Sequence, residues 1–413
     1  MKHIEIMAPV GSYEALSAAI QAGSGSVYFG VGKLNMRSRS TKNFSLDDLK
    51  EISSICREHA INSYVTINTI IYDDEMEAMR QLVDACVEYG ITAVIASDQA
   101  VIQYARSRSM EVHMSTQTNI TNIEAVRYYA QYADVMVTAR ELSLDQVAVI
   151  TQAIKDEQII GPSGELIRIE IFVHGALCMA VSGKCYLSLD LLNSSANRGA
   201  CLQPCRRAYQ VKDKDEEVEM VVENEFIMSP KDLNTIAFLD KILASGVEVL
   251  KIEGRGRSPE YVKTVTEVYK EAVDAVLHNS YTTQRIEQWN ERLKTVYNRG
   301  FWDGYYLGQR MGEWAEQYGS VATERKMYVG KIVNFYQTPS IAEIKMETQS
   351  LSVGDKILVI GPTTGVYEDR IVEIRVDYKP VHTTQKGEHC SIPATAVLRP
   401  GDKVYKMIRT NQS

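Results

Sequence analysis

The chain has 413 residues, 45% hydrophobic and 24% charged, with a formal charge of −8. That length exceeds what one hydrophobic core ordinarily organises and predicts two or three domains. The composition excludes a disordered, fibrous or collagen-like chain, and 45 basic against 53 acidic residues exclude a globally basic nucleic-acid binder, though not a local cationic groove. No apolar run approaches the roughly 20 residues that cross a bilayer, so no membrane partner is expected. Residues 1–6 run straight into strand-like sequence with no leader pattern, which predicts a cytoplasmic protein. Seven cysteines in so long a chain make no disulfide scaffold, and a reducing compartment favours thiols or metal ligands.

Short runs rich in Val, Ile and Tyr recur at residues 4–8, 27–30, 64–67, 93–96, 111–114, 134–137 and 168–173, with later candidates at 226–228 and 247–252. Amphipathic stretches such as 46–59, 75–89 and 123–132 separate them. Ser45 is placed to cap the first of these, with Asp47 and Asp48 in the first turn, where the helix dipole favours negative charge. Apolar strands alternating with helices denote a parallel sheet covered on both faces. Eight or nine such units fit a closed (β/α)₈ TIM-like barrel, and the sequence leaves open which of the last two candidates closes it.

Residues 257–315 read as helical, with a packed turn at 298–306. From Met327 the period changes to six short strands, at 328–335, 341–346, 356–360, 370–376, 391–394 and 402–408, with turns at 361–362, 379–380 and 400–401. The expected plan is an α/β barrel over 1–320, carrying a cysteine-bearing insertion at about 175–222, followed by a small all-β barrel domain over 327–413. The second domain holds 11 basic and 9 acidic residues. It suits gripping a large substrate, and suits equally well covering the barrel or making a dimer.

Polar residues gather just past the strand ends: Asn68, Asp98, Gln99, Ser115, Thr116, Gln117, Arg140, Glu141, His174, Glu253 and Arg255. In a barrel these positions share one mouth, where barrel enzymes keep their chemistry, although each alone could equally be a helix cap. Cys178, Cys185, Cys201 and Cys205 follow the seventh strand with the spacing C-x₆-C-x₁₅-C-x₃-C, which sets the sulfurs beside that mouth. Four thiolates can hold zinc or an iron–sulfur cluster. Structural zinc prefers tighter knuckles than x₆, and clusters tolerate irregular spacing. Cys56, Cys86 and Cys390 read as small buried hydrophobes. Arg198, Arg206 and Arg207 could offset thiolates or grip phosphate.

The run Glu170-Ile-Phe-Val-His-Gly-Ala-Leu-Cys-Met-Ala-Val-Ser-Gly-Lys-Cys-Tyr-Leu-Ser188 resembles the signature of peptidase family U32. Ala8-Pro-Val-Gly11, Ser229-Pro-Lys-Asp-Leu233 and Lys251-Ile-Glu-Gly-Arg255 are similar to its other blocks. The resemblance implies two activities. Collagenase-like members are described as proteolytic. Others are oxygen-independent hydroxylases with a [4Fe–4S] cluster, acting on tRNA wobble uridine, an rRNA cytidine or a ubiquinone precursor, with prephenate as oxygen donor for the RNA enzymes. Carried over, Cys178, Cys185 and Cys201 match the cluster ligands. Some members place a further cysteine in Asp-Leu-Cys, where this chain reads Asp232-Leu233-Asn234, so Cys205 is the natural fourth ligand.

The chain shows no His-Glu-x-x-His and no Gly-x-Ser-x-Gly, and Cys178 with His174 is an imaginable Cys–His pair. Oxidising a pyrimidine at C5 exceeds what side chains do alone, so a cofactor is expected. Arg140, Arg255 and Lys251 are candidate anchors for a dicarboxylate such as prephenate. The expected function is a tRNA uridine hydroxylase with His174, Arg140, Glu141, Glu253 and Arg255 at its chemistry. The alternatives are a collagenase-like peptidase and a zinc-stabilised RNA-binding scaffold. RNA is expected to meet Arg198, Arg206, Arg207 and the net-positive second domain.

Overall fold

The computed structural model describes residues 4–39, 43–210, 226–308 and 312–410, so the end of the expected insertion, 211–222, lies outside the described residues. The chain opens with β1 (Glu5–Pro9), α1 (Tyr13–Gln21), β2 (Ser26–Gly30), α2 (Asp48–Glu58), β3 (Asn62–Ile67), α3 (Met76–Tyr89), β4 (Ala93–Ala96) and α4 (Gln99–Ser107). The alternation continues with β5 (Glu111–Met114), α5 (Ile123–Tyr129), β6 (Val135–Val137), α6 (Leu144–Asp156), β7 (Arg168–Gly175) and the short α7 (Leu187–Leu192). Then come β8 (Asp232–Asn234), α8 (Leu239–Ala244), β9 (Val249–Ile252), α9 (Pro259–Leu277), α10 (Thr283–Thr295) and β10 (Phe301–Trp302).

Strands β1 to β7 pair in parallel in chain order, and β9 closes the ring by pairing with both β7 and β1, with Glu170 and Glu5 each opposite Val249. This is the TIM-like barrel. The candidate at 226–228 is a turn, and the eighth stave is β9. Strand β8 runs antiparallel to the end of β7 and carries β10 beside it, extending the sheet outside the ring. The helical reading of 257–315 holds only to Thr295. Beyond it the buried Asn298 side chain donates to Val296 O and accepts from Gly300 N, bending the chain into β10.

Local chemistry explains the boundaries. Ser143 and Gln146 form a reciprocal capping box at α6, and α3 stops at Gly90, whose φ of 71° suits glycine. Helix α2 starts two residues later than its apolar pattern, yet Ser45 still exchanges bonds with Asp48: Ser45 N donates to Asp48 Oδ2 at 2.7 Å and Asp48 N to Ser45 Oγ at 3.4 Å. Outward strand residues pack under the helices in the large core. Met7, Tyr28, Tyr64, Ile95 and Val249 form a separate cluster, as expected for alternate residues filling a barrel interior. Toward the N-terminal end of the strands the filling turns polar: Glu5 accepts from Tyr64 Oη at 2.7 Å and from Arg168 at 2.9 Å.

The C-terminal part is one antiparallel sheet of β11 (Glu324–Tyr336), β12 (Ile341–Met346), β13 (Lys356–Gly361), β14 (Gly365–Arg370), β15 (Ile374–Val376), β16 (Lys379–Val381), β17 (His389–Pro393) and β18 (Lys403–Arg409). It has eight strands where the sequence suggested six. The expected strand 370–376 is split, because Arg370 ends β14 and the chain re-enters the sheet only at Ile374. The turn expected at Lys379-Pro380 lies two residues earlier. Asp377 and Tyr378 both take left-handed φ (48° and 64°), a tight hairpin, and Pro380 sits in the edge strand β16, where its missing N–H is tolerated. This sheet docks on the barrel: Ala18 of α1 packs with Leu358, Ile360 and Val366, while Gln21 donates to Thr364 O at 2.7 Å and accepts from Val366 N at 3.0 Å.

Candidate active site at the barrel mouth

The C-terminal strand ends and the cysteine insertion enclose a cavity of about 150 Å³. Thr66, Asn68, Ser115, Thr116, Gln117, Arg140, Glu253 and Arg255 reach it from the strand ends, and all four clustered cysteines reach it from the insertion. Two glycines permit this closure. Gly175 ends β7 at φ 104°, where a Cβ would stand 2.4 Å from Glu253 O. Gly199 lies so close to the loop after β2 that a Cβ would fall 2.0 Å from Asn35 O, and Ser38 Oγ donates to Gly199 O at 3.1 Å. The insertion is also pinned by Arg206, which donates to Leu177 O at 2.5 Å and Pro230 O at 2.7 Å.

Among the described residues the lining is strongly cationic, with Arg37, Arg140, Arg206, Lys251 and Arg255 against one carboxylate, Glu253. Arg37 donates to Glu253 Oε1 at 2.5 Å. Burial pushes the Glu253 carboxyl up, but Arg37, Arg140 and Arg255 outweigh it and hold the group ionised, down to about 2. Tyr28, deeply buried and protonated, donates to Ile252 O at 2.9 Å and stacks under the Lys251 ammonium at 4.5 Å. Of the three expected carboxylate anchors, two are committed within the protein. Arg255 donates to Thr66 Oγ1 at 2.6 Å and Asn35 Oδ1 at 3.2 Å, and Lys251 pairs with the fully buried Glu170 at 2.7 Å. Arg140 lies over the Phe172 ring at 3.9 Å, donates to Ala176 O at 3.3 Å, and keeps a buried Nε that has no partner among the described residues. Arg37 escaped the sequence reading although it follows a barrel strand. The loop after β2 is long, so its polar residues do not sit immediately past the strand end.

All seven cysteines are free thiols. Cys178 is exposed, and Cys185, Cys201 and Cys205 are half-buried. Burial pushes the Cys205 thiol up to about 11, with Arg206 opposing and the other three cavity thiols adding to the rise. Cys201 is raised by burial too, and Arg37 pulls it back. Among the described residues, no three His, Cys, Asp or Glu side chains gather closely enough to hold a metal ion as placed. The donor set nevertheless fits an iron–sulfur cluster: four cysteines on one cavity, with a cationic surround to offset thiolate charge.

Other expected site residues stand elsewhere. His174 is buried outside the cavity among Tyr261, Tyr269 and Phe301, with Nδ1 3.5 Å from Tyr269 Oη. A register shift between Phe172 and His174 breaks the inward alternation of β7 and turns the imidazole away from the mouth. Burial, and then Arg257, lower its pKa to about 3. Glu141 borders a neighbouring small recess with Trp302 and Trp314. Asp98 caps α4 by accepting from Ala100 N at 2.9 Å, and Gln99 is that helix's first residue. Of the three arginines expected to meet RNA, Arg198 is bound to Glu75 and Ile70 O, and Arg206 to backbone carbonyls. Only Arg207 is exposed and, among the described residues, unpaired.

A profile of peptidase family U32 matches residues 11–316. Over 402 residues the chain is 54% identical to a collagenase of Porphyromonas gingivalis, covering 97% of each chain. Over 320 residues it is 35% identical to tRNA hydroxylation protein P of Helicobacter pylori, covering 74% of this chain and 72% of that one. It is also 31% identical over 317 residues to a 23S rRNA 5-hydroxycytidine synthase of Escherichia coli, covering 75% of this chain and 46% of the relative. Among the described residues, no helix is long and apolar enough to cross a membrane.

Proposed function

The chain belongs to peptidase family U32, and from that premise we propose that it hydroxylates a pyrimidine of RNA. The specific reaction proposed is formation of 5-hydroxyuridine at the tRNA wobble position, with a [4Fe–4S] cluster and prephenate as oxygen donor. The observation that carries this reading is the convergence of four cysteines and five cationic side chains on one cavity at the barrel mouth. The relatives named for tRNA and rRNA hydroxylation support it.

Cys178, Cys185, Cys201 and Cys205 would hold the cluster, which supplies the redox capacity that protein side chains lack. The chain's own groups do the rest. Arg140, with donors still unspent, is the anchor for a carboxylate of the oxygen donor. Glu253, held ionised far below neutral pH, is a fixed negative charge rather than a proton carrier, and Arg37 keeps it in place. Arg255 and Lys251 are locked into Asn35, Thr66 and Glu170, so they shape the wall and contribute positive potential. A catalytic role for His174 or Glu141 finds no support in their positions outside the cavity.

The second reading, a peptidase, is favoured by the name of the 54% identical relative. Against it stands His174, neutral, buried and bonded toward Tyr269 rather than toward a thiol. Anaerobic purification followed by iron, sulfide and zinc analysis, with a gelatin-cleavage assay on the same sample, separates the readings. Iron with sulfide and no gelatin cleavage supports the hydroxylase. Gelatin cleavage by iron-free protein overturns it, and zinc alone points to an RNA-binding scaffold.

A further inference from the structure

Beside the cysteine-lined cavity lies a second one of about 540 Å³, and Met36, Asn68, Gln117, Gly183 and Cys185 line both. Its outer wall carries two tyrosines that a folded protein has no internal reason to leave in water: Tyr186 is 76% exposed and Tyr72 54%. The Tyr186 ring has no aromatic neighbour and its hydroxyl no hydrogen bond among the described residues. Tyr72 is held by the Arg198 guanidinium, 3.9 Å over its ring, and Arg198 is itself fixed by Glu75 and Ile70 O. Lys184, exposed on the same wall, makes no ion pair among the described residues. Gln117 spends its amide nitrogen on Ser182 Oγ at 3.1 Å, and Asn197 accepts from Ser195 Oγ at 2.5 Å. Among the described residues this leaves the Gln117 Oε1 acceptor and the Asn197 Nδ2 donor without a partner.

We propose that this outer cavity is a base-stacking subsite, which takes the nucleobase next to the one being modified in a single-stranded stretch of RNA. The assignment rests on the RNA reading above and deepens it. A pyrimidine can reach the inner cavity only by leaving its stack, and its neighbour then loses a stacking partner. Exposed aromatic faces at the rim replace that partner whatever the base, as platforms for single strands do. A lone lysine beside them meets the intervening phosphate, and the free amide groups reach a base edge. The cavity volume is within the range of about 300–1,000 Å³ typical of small-ligand sites.

The test uses the full-length holoenzyme and a fluorescently labelled, unstructured RNA oligonucleotide of mixed sequence, read by anisotropy. Tyr186→Ala and Tyr72→Ala should each weaken binding by about tenfold, because stacking accounts for roughly that much per base. Tyr186→Phe should bind as the wild type does, and so should Tyr128→Ala, which alters an exposed tyrosine on α5 that lines neither cavity. Iron content and melting temperature of each variant, measured in parallel, exclude a folding defect. In Tyr186→Trp, the added RNA should quench the new indole fluorescence. Unchanged affinity in both alanine variants, with no quenching in the tryptophan variant, overturns the subsite while leaving the RNA reading standing. Failure of the wild type to bind RNA overturns both. Loss of gelatin binding with RNA binding intact assigns the tyrosines to a peptide and overturns the proposal.

Discussion

Arg37, in the loop after the second barrel strand, donates to Glu253, just past the last, at 2.5 Å. The pair ties the loop after the second strand to the last strand across the mouth and fixes the cavity's Glu253 carboxylate. Replacing Arg37 by Met leaves a half-buried negative charge short of its main partner, which should cost on the order of 3 kcal/mol at neutral pH. The Glu253 carboxyl is depressed from 4.5 to about 2 in the folded protein, so its stabilisation is present above 4.5 and lost as pH falls toward 2. The gap between wild type and Arg37→Met in urea unfolding should therefore narrow across that window. A gap independent of pH would remove the ion pair as its cause.

His174 gives a second pH dependence, in a different window. Its folded-state pKa lies near 3 against an ordinary 6.5, because burial and the Arg257 charge exclude the proton. The unfolded chain takes up that proton below 6.5 and the folded one does not, so stability drains away as pH falls from 6.5 toward 3, by up to about 5 kcal/mol. His174→Gln, which does not titrate, should flatten the curve in that range. It should also leave alkylation of Cys178 in cluster-free protein unchanged. Strongly slowed alkylation would revive a Cys–His pair.

The cysteines should separate into two groups. Cys56, Cys86 and Cys390 are almost wholly buried, and burial pushes each thiol up to about 12. In native cluster-free protein four thiols should react with a disulfide reagent, and the remaining three only on unfolding. In anaerobically reconstituted protein, alanine at Cys178, Cys185, Cys201 or Cys205 should each reduce the broad visible absorbance to near baseline. Cys56→Ala and Cys86→Ala should keep it. Full colour in any one of the first four removes that residue from the ligand set.

The second domain is more firmly attached than its separate strand pattern suggests. Ending the chain at Gln317 uncovers Ala18 and the surrounding face of α1, and it removes the Lys326–Glu260 pair at 2.8 Å. Scanning calorimetry should show the shortened barrel melting several degrees lower. An unchanged melting temperature would mean the docking face contributes nothing. Loss of the domain should cost RNA affinity less than its net charge implies. Lys331, Lys356, Arg375 and Lys406 are each engaged by an acidic neighbour, and exposed paired charges release few counterions.

The parts legible in the sequence are those fixed by local pattern. The staves 93–96 and 111–114 coincide with β4 and β5, since a buried parallel strand announces itself as a short apolar run. The four cysteines and Arg140, Glu253 and Arg255 were legible because barrel chemistry follows strand ends, and all of them line the cavity. What escaped depended on contacts distant in sequence or on backbone detail. Arg37 owes its place to Glu253, 216 positions away. His174 was misplaced because a one-residue register shift in β7 reverses which way it faces. Strand β14 was missed because its charged half, Glu368 to Arg370, hides a buried first half that packs on α1.

Whether this mouth adds oxygen to an RNA base is read most directly by mass analysis of the nucleosides. Anaerobically reconstituted enzyme is incubated with tRNA lacking wobble hydroxylation, with and without prephenate, and the RNA is then digested. A uridine heavier by one oxygen atom is expected, appearing only with prephenate and lost in Cys178→Ala. Unmodified uridine throughout, from protein with a full complement of iron and sulfide, would contradict it.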